Sequence, residues 1–168
     1  MKKVLFSIII LFVINVQTVT SQSTKETTRL AELDLFWTEL SRTVREGDFE
    51  GYKATYHEDA VVIFASGKNK TSVSISKALT GWKKGFDETK AGNRKDSAEF
   101  RFSQRIGNET TAHETGIFIF TSIDKNGKVT AKYRTHFEML LVKRNGKWLG
   151  VMEYQKNNAT QEEWDALK

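Results

Sequence analysis

The stretch THFEMLLVKRNGKWLGVMEYQK, residues 135–156, decides the fold. On both sides of Asn145-Gly146, apolar and polar residues alternate with a period of two, which is the periodicity of a β-strand. An Asn-Gly pair supplies the two positive φ angles that a two-residue hairpin requires. The stretch is therefore predicted to form two antiparallel strands, 129–143 and 147–156, joined by a tight turn.

Two more strands are predicted before this hairpin. A second Asn-Gly pair, Asn126-Gly127, joins a strand at 111–124 to the strand at 129–143. A strand at 97–106 precedes them across a loop of three residues, since that loop length puts Phe100 and Phe102 in the core. The four strands form one sheet.

The N-terminal half has a helical period instead. Apolar residues recur at steps of three and four in the first helix, which is predicted to end near Gly47. Asp48 caps a short second helix, and a third helix starts at Ser74, with a brief β-strand at 60–64 between them. The stripe of the first helix consists of Leu30, Leu33, Trp37, Leu40 and Val44.

The hairpin turns assign a face to each side chain of the sheet, because directly opposed residues share a face. Two-residue loops pair Glu114 with Met139, Met139 with Met152, and Phe137 with Tyr154. One face then collects most of the aromatic residues and is predicted to be concave, packed on the helices. The other face is half apolar, which predicts a partner surface. A homodimer through this convex face is the economical explanation.

The N-terminus is predicted to be a secretory signal peptide. Lys2 and Lys3 precede a mostly apolar run, 4–16, and a polar stretch follows. The run is shorter than the roughly 20 residues that a membrane-spanning helix needs. Cleavage is expected after Ser21, and an uncleaved signal anchor is the alternative. The predicted divisions are a signal peptide (1–21), a short linker (22–27), one domain (28–157) and a tail (158–168) for which a short helix is one option.

Composition narrows the class of protein. The 168 residues contain no cysteine, which excludes a disulfide scaffold and a thiolate site. An exported chain without cysteine is expected in a bacterial periplasm or outside a bacterial cell. Losing Lys2 and Lys3 lowers the formal net charge of +5 by two, to +3, with both signs interspersed. Neither nucleic-acid binding nor stable membrane insertion after cleavage is predicted. No metal or cofactor motif occurs, so neither is expected.

The order of these elements resembles the nuclear transport factor 2-like superfamily. The features that carry the resemblance are the short helix ending at residues 56–60 (YHEDA), the helix with Trp82, and the hairpin at residues 143–148 (KRNGKW). Within the superfamily the chain is similar to the SnoaL-like and calcium/calmodulin-kinase-association-domain-like group, over roughly residues 28–157. The resemblance implies an α+β cone, in which a strongly bent, mainly antiparallel β-sheet wraps around three N-terminal helices. It also implies a pocket inside the cone and usually a dimer.

The same resemblance argues against one class of ligand. The kinase-association-like relatives line the pocket with arginines, and the matching positions here are Phe118 and Met139. Met152 and Tyr154 stand where relatives often carry histidine. These departures argue against the binding of small acids that the resemblance would otherwise imply.

Glu114 is the main candidate for chemistry. It is the only acid predicted on the concave face, and a carboxylate in apolar surroundings has its pKa raised and can act as a base. Tyr56 or Tyr154 would then donate a hydrogen bond from its hydroxyl group. The alternative is that Glu114 lies at the open rim of the cone or pairs with Arg101 or Arg105.

A ligand pocket is predicted inside the cone, since aromatic walls with a few hydroxyl groups suit a small flat or apolar molecule. The same residues equally suit a filled core. The predicted lining residues are Tyr56, Trp82, Phe86, Phe118, Phe137, Met139, Met152 and Tyr154.

A polar cluster on the convex face is a separate candidate. It comprises Arg134, His136, Glu138 and Glu153, and Glu138 is predicted to lie directly opposite Glu153. Two facing carboxylates can share a proton or a cation, although neutralisation by arginine is the commoner arrangement. A bulge in either strand would move the cluster into the cone.

Three functions are compatible with these features. The first is an exported small-molecule-binding protein with an apolar pocket. The second is an enzyme of proton-transfer chemistry, such as an isomerase or a dehydratase, with Glu114 as the base. The third is a structural or dimeric interaction module whose cone is filled by its own side chains.

Overall fold

The computed structural model describes the backbone of residues 2–167 and the side chains of residues 24–167. The predicted signal peptide and its cleavage site after Ser21 lie outside the residues with described side chains and stay predictions. Across residues 24–167, no helix is long and apolar enough to cross a membrane.

The described chain is an α+β fold with one six-stranded sheet. The strand order is β2-β1-β6-β5-β4-β3, in which β1 and β6 are parallel and the other neighbours are antiparallel. The predicted cone, a bent and mainly antiparallel sheet around N-terminal helices, is therefore confirmed. In chain order the elements are α1 (Lys2–Glu46), α2 (Phe49–Lys53), β1 (Tyr56–Phe64), β2 (Thr71–Ser74), α3 (Ile75–Lys90), β3 (Arg94–Gly107), β4 (Thr111–Asp124), β5 (Val129–Arg144), β6 (Lys147–Asn158) and α4 (Gln161–Ala166).

The predicted helix boundaries follow from local capping. Gly47 has a φ of +65° directly after α1, and the Asp48 side chain accepts a hydrogen bond from the backbone N–H of Gly51. Ser74 caps α3 in the same manner. Residues 24–27, part of the predicted linker 22–27, are instead helical within α1. They contain neither glycine nor proline, so nothing in them ends the helix.

The core lies between α1, α3 and the concave face of the sheet. In α1 the buried apolar residues are those of the predicted stripe from Leu33 onward, with Phe36 added. Burying such large side chains contributes about 1.5–3 kcal/mol each. The buried apolar residues of α1 are Leu33, Phe36, Trp37, Leu40 and Val44.

The β4–β5 pairing has the predicted register, with Glu114 opposite Met139. The turn that produces it differs from the prediction, because Asn126 has no positive φ. Oδ1 of Asp124 accepts from the N–H groups of Asn126 (2.8 Å) and Lys128 (2.9 Å), and the chain closes as a longer loop. A bulge between Ser122 and Ile123 then restores the predicted pairing.

Strand β3 also reaches the predicted faces by a different route. Ile106 pairs with His113, and not with Thr110 as the predicted three-residue loop at 107–109 requires. A bulge between Phe102 and Gln104 compensates, and Phe100 and Phe102 pack on Trp37 in the core as predicted. The strand also begins earlier than predicted, at Arg94.

The main correction concerns β6. The Asn145-Gly146 turn has the predicted geometry, with φ angles of 51° and 77°, and Leu141 faces Gly150. Leu140 then faces Met152, so Val151 is an extra residue in the strand. A bulge of this kind bends the strand and shifts its register by one residue. The predicted pairs Met139–Met152 and Phe137–Tyr154 are therefore wrong.

The convex face is partly covered by the C-terminal segment. Helix α4 places Trp164 on Ile117 and Ile119, and the indole is 6% exposed. The Arg101 guanidinium lies 4.4 Å from the centre of the Trp164 ring and donates to the carbonyl groups of Trp164 and Leu167 at 2.9 Å each. Some of the apolar surface predicted to bind a partner is thus covered by the chain itself.

Candidate functional site

A cavity of about 990 Å³ lies inside the cone. Its inner wall is formed by α1, and its sides are formed by α3 and by the concave face of β3 to β6. The outer rim carries exposed residues of α3 and of the strand ends. The apolar and aromatic lining residues are Trp37, Leu40, Val44, Tyr52, Tyr56, Phe64, Trp82, Phe86, Ala98, Phe100, Phe118, Phe120, Ala131, Tyr133, Phe137 and Met139.

Most of the predicted pocket residues line this cavity. They are Tyr56, Trp82, Phe86, Phe118, Phe137 and Met139. Met152 and Tyr154 do not, because the Val151 bulge turns both side chains to the convex face. Tyr154 therefore lies outside the cavity in which its catalytic role was predicted.

The bulge brings a carboxyl group into the cavity in place of these two residues. Past Val151, Glu153 pairs with Met139 and Gln155 with Phe137, and both polar side chains line the cavity. Gly150, directly before the bulge, is the sequence signal that could have revealed it, since an isolated glycine in a strand often marks a bulge or a close approach. A Cβ at Gly150 would lie 3.2 Å from Cδ1 of Tyr56.

Glu153 is the centre of a partly buried hydrogen-bond network. The Tyr56 hydroxyl donates to Oε2 of Glu153, and Nε2 of Gln155 donates to Oε1 at 2.7 Å. The Tyr52 hydroxyl oxygen lies 3.2 Å from that of Tyr56. Two tyrosines and a glutamine therefore position one carboxyl group at the wall of the cavity.

Burial controls the protonation of this network. It raises the pKa of Glu153 above its ordinary value, and the hydrogen bonds from Tyr56 and Gln155 only partly oppose that effect. Burial and the nearby Glu153 charge also raise the pKa values of Tyr52 and Tyr56, so both phenols stay protonated as donors. A carboxyl group with a raised pKa is the better proton acceptor.

Glu114 lies outside this network. It is fully buried, outside the lining of the cavity, and accepts from Nε1 of Trp37 at 2.5 Å. Arg105 donates to it from Nε at 2.7 Å and from Nη2 at 3.2 Å, and also binds Asp34. A carboxylate held by three N–H donors, two of them on a guanidinium, is a strong anchor between α1, β3 and β4. The predicted alternative, pairing with Arg105, is what the structure shows.

The predicted convex cluster is dispersed. Glu138 faces Tyr154 and not Glu153, because of the bulge. It binds Nζ of Lys156 at 2.7 Å and Nε2 of His113 at 3.2 Å, and these bonds, that of Lys156 first, lower the pKa of Glu138. His136 contacts Glu163 of α4 at 3.3 Å. Arg134 shares the convex face with them and makes no bond to either carboxylate.

A second polar group of the cavity was missed by the sequence analysis. Arg94, Asp96 and Ser122 line its outer part, and Nη2 of Arg94 donates to Oδ2 of Asp96. The predicted strand starts at residue 97 and so does not include Arg94 and Asp96. Phe102, Phe100 and Ala98 alternate along one face of the strand, and two more steps of two residues towards the N-terminus reach Asp96 and Arg94.

No group of three or more histidine, aspartate or glutamate side chains within residues 24–167 is arranged to hold a metal ion. Each carboxyl group of the cavity accepts from a neighbouring side chain: Glu153 from tyrosine and glutamine, Asp96 from arginine, and Glu88 from asparagine.

Comparisons with known proteins agree with this architecture. The family model of the calcium/calmodulin dependent protein kinase II association domain matches residues 29–159. No curated protein matches the chain.

Solved structures share the fold at low identity. An NTF-2 like protein of unknown function from Shewanella oneidensis is 13% identical, with a TM-score of 0.58 over 76% of this chain and 98% of that one. A ketosteroid isomerase-like protein from Erwinia carotovora is 15% identical, with a TM-score of 0.56 over 79% and 97%. A Catenulispora acidiphila protein, solved in complex with S-DNPA, is 13% identical, with a TM-score of 0.58 over 79% and 94%. At such identities the likeness shows the fold alone.

Proposed function

The chain belongs to the calcium/calmodulin dependent protein kinase II association domain family, with the nuclear transport factor 2-like fold, and on that premise we propose that it binds a small, flat, largely apolar molecule inside the cone. The observation that carries the proposal is the cavity of about 990 Å³ with aromatic walls. Sites for small molecules typically have about 300–1,000 Å³ and a mostly apolar lining with a few polar groups. A cone filled by its own side chains would leave no such space.

Native mass spectrometry of the protein purified from its host tests this proposal. A bound molecule is expected as a mass increment that disappears on denaturation. Ala98→Trp, which places an indole in the cavity, should abolish the increment, whereas Ala54→Trp, at an exposed position outside the cavity, should retain it. Wild-type protein without any increment, and without binding of added naphthalene, would overturn the proposal.

A second candidate function rests on Glu153. We propose proton-transfer chemistry, of the isomerase or dehydratase type, with Glu153 in the role that the sequence analysis gave to Glu114. Glu153 lies in the cavity, has a raised pKa and contacts a tyrosine hydroxyl that can donate to a developing oxyanion. The structural neighbour named ketosteroid isomerase-like is consistent with this chemistry on the fold.

This second function can be tested with a simple carbon acid. Conversion of 3-cyclohexenone to its conjugated isomer is followed by ultraviolet absorbance. If the chain is such an enzyme, Glu153→Gln should lower the rate about 100-fold or more. Glu88→Gln, at the rim of the cavity, should leave the rate unchanged. A rate equal to that of buffer, or one insensitive to Glu153→Gln, would exclude Glu153 as the base for this substrate class.

We also propose export, on the pattern of residues 1–21 alone. N-terminal sequencing of the protein from its host should begin at Gln22. A chain that retains Lys2 and Lys3 would contradict cleavage.

We further propose a homodimer through the part of the convex face that α4 leaves open. Leu140 is 41% exposed there and pairs with Met152, and Tyr154 lies beside them. Sedimentation velocity should give a dimer for the wild type and a monomer for Leu140→Lys. The control Val129→Lys, at an exposed residue of the hairpin end, should stay dimeric. A wild-type monomer would refute the dimer.

A further inference from the structure

The outer part of the cavity carries a polar group of residues separate from the Glu153 network. Asp96 and Ser122 are register partners on β3 and β4 and lie on the concave face. Their exposed fractions are 6% and 2%. Arg94 is two residues before Asp96 and shares its face, because successive side chains of a strand alternate. All three line the cavity.

Each of these side chains has a buried polar atom without a partner. The atoms are Nε of Arg94, Oδ1 of Asp96 and Oγ of Ser122. A buried polar atom left unpaired costs about 1–3 kcal/mol, and native structures contain few of them. The remaining unpaired atoms among the described side chains, on Arg29, Thr89 and Arg134, belong to residues that do not line this cavity. Among the residues that line the cavity, the unpaired buried atoms therefore all belong to these three neighbouring side chains.

The three atoms form a set of complementary donors and acceptors. Nε of Arg94 donates, Oδ1 of Asp96 accepts, and Oγ of Ser122 can do either. The guanidinium is already bound to Oδ2 of Asp96, so the two charges largely cancel. Gly85 of α3 allows this placement, because a Cβ there would lie 2.6 Å from Nη2 of Arg94. An anionic ligand group would meet the Asp96 carboxylate, and a cationic group would meet Arg94.

We propose that Arg94, Asp96 and Ser122 bind a neutral group of the ligand that both donates and accepts hydrogen bonds, namely a hydroxyl or a primary carboxamide. The inference rests on the proposed binding function and names its ligand class: an apolar ring system that carries such a group. The ring would lie against the aromatic wall beside the three residues, where Phe120 and Tyr133 stack with ring centres 5.2 Å apart.

Four naphthalene probes test the inference by equilibrium dialysis against purified protein at pH 7. They are naphthalene, 2-naphthol, 2-naphthamide and 2-naphthoate. Naphthol and naphthamide should bind about 3- to 10-fold more tightly than naphthalene, which is the gain from about one net hydrogen bond. Naphthoate should bind no better than naphthalene.

Matched variants assign the gain to the site. Ser122→Ala and Asp96→Ala should each reduce the naphthol-to-naphthalene affinity ratio towards one. Thr89→Ala, which removes a buried unpaired hydroxyl outside the cavity lining, should keep the wild-type ratio. Ser122→Ala decides the test if Asp96→Ala does not fold, as judged by circular dichroism.

The outcomes separate the two proposals. If naphthalene binds but the hydroxyl and the carboxamide add nothing, the inference is wrong and the binding function stands. Tightest binding of naphthoate, or an unchanged ratio in Ser122→Ala, would likewise overturn the inference. If none of the probes binds, the binding function and the inference fall together.

Discussion

Replacing Glu114 should reveal whether this residue is an anchor or a catalyst. In Glu114→Leu the indole N–H of Trp37 and two N–H groups of Arg105 lose their acceptor. Breaking a buried ion pair by removing one partner costs about 3–5 kcal/mol. Arg105 is 19% exposed and keeps its contact with Asp34, so the loss should lie at the lower end, about 3 kcal/mol.

Urea denaturation followed by tryptophan fluorescence measures this loss. Glu114→Gln, which retains an acceptor for Trp37, should cost less, about 1–2 kcal/mol. The double variant Glu114→Leu/Arg105→Leu should lose less stability than the two single variants added together, because neither charge of the buried pair is then left without its partner. Glu99→Ala, at an exposed position of β3, should stay within about 0.5 kcal/mol of the wild type.

A loss of less than about 1 kcal/mol in Glu114→Leu would refute the anchoring role, since this buried carboxylate accepts three hydrogen bonds. Additive losses of the two single variants would also refute it. A Glu114→Gln variant that keeps its stability but loses all activity in the isomerisation assay would restore Glu114 as the catalytic base.

Three further predictions follow from burial and packing. Because the folded-state pKa of Glu153 is raised above the ordinary 4.5, its stabilising contribution is complete below that value and is lost as the pH rises through the folded pKa. Glu153→Gln should therefore gain stability relative to the wild type at pH 8 but not at pH 4, and equal effects in urea titrations at the two pH values would refute this. Gly116→Ala should lower the free energy of unfolding by about 2 kcal/mol or more, since the new Cβ would overlap the Arg101 carbonyl group. Gly81→Ala, with open space around it in α3, should raise the free energy of unfolding by about 0.5–1 kcal/mol, and thermal unfolding measures both changes. Trp164→Ala should cost about 3 kcal/mol and speed amide exchange in α4, and unaltered exchange would show that the indole does not hold this helix.

The strands, and the face of the sheet on which most side chains lie, were predictable because they depend on local signals. Asn145-Gly146 forms the expected turn, and Phe118 and Phe137 line the cavity as the pairing across the hairpin turns predicts. The β4–β5 register was predicted from a turn that does not form as expected, and it holds because the Ser122 bulge compensates. Burial of the aromatic face selects the register, and the turn accommodates it.

The polar part of the site was less predictable, because it depends on a contact between distant strands. Glu153 enters the cavity only because Val151 is bulged where β6 passes Tyr56 of β1. No pattern within β6 specifies the parallel pairing with β1. Gly150 indicated a bulge or a close approach at this point of β6. It did not indicate that the Glu153 carboxyl group would lie on the concave face.

The parallel pairing of β1 with β6 also fixes when the site can exist during synthesis. Tyr56 and Glu153 are 97 residues apart. At about 5–20 residues per second, a ribosome adds Glu153 about 5 to 20 s after Tyr56. Through that interval β1 lacks β6, its parallel neighbour in the sheet, and the nascent chain exposes apolar strands without a closed cone. A chaperone or a translocation channel that engages the chain in this window meets it before the cavity has a polar wall.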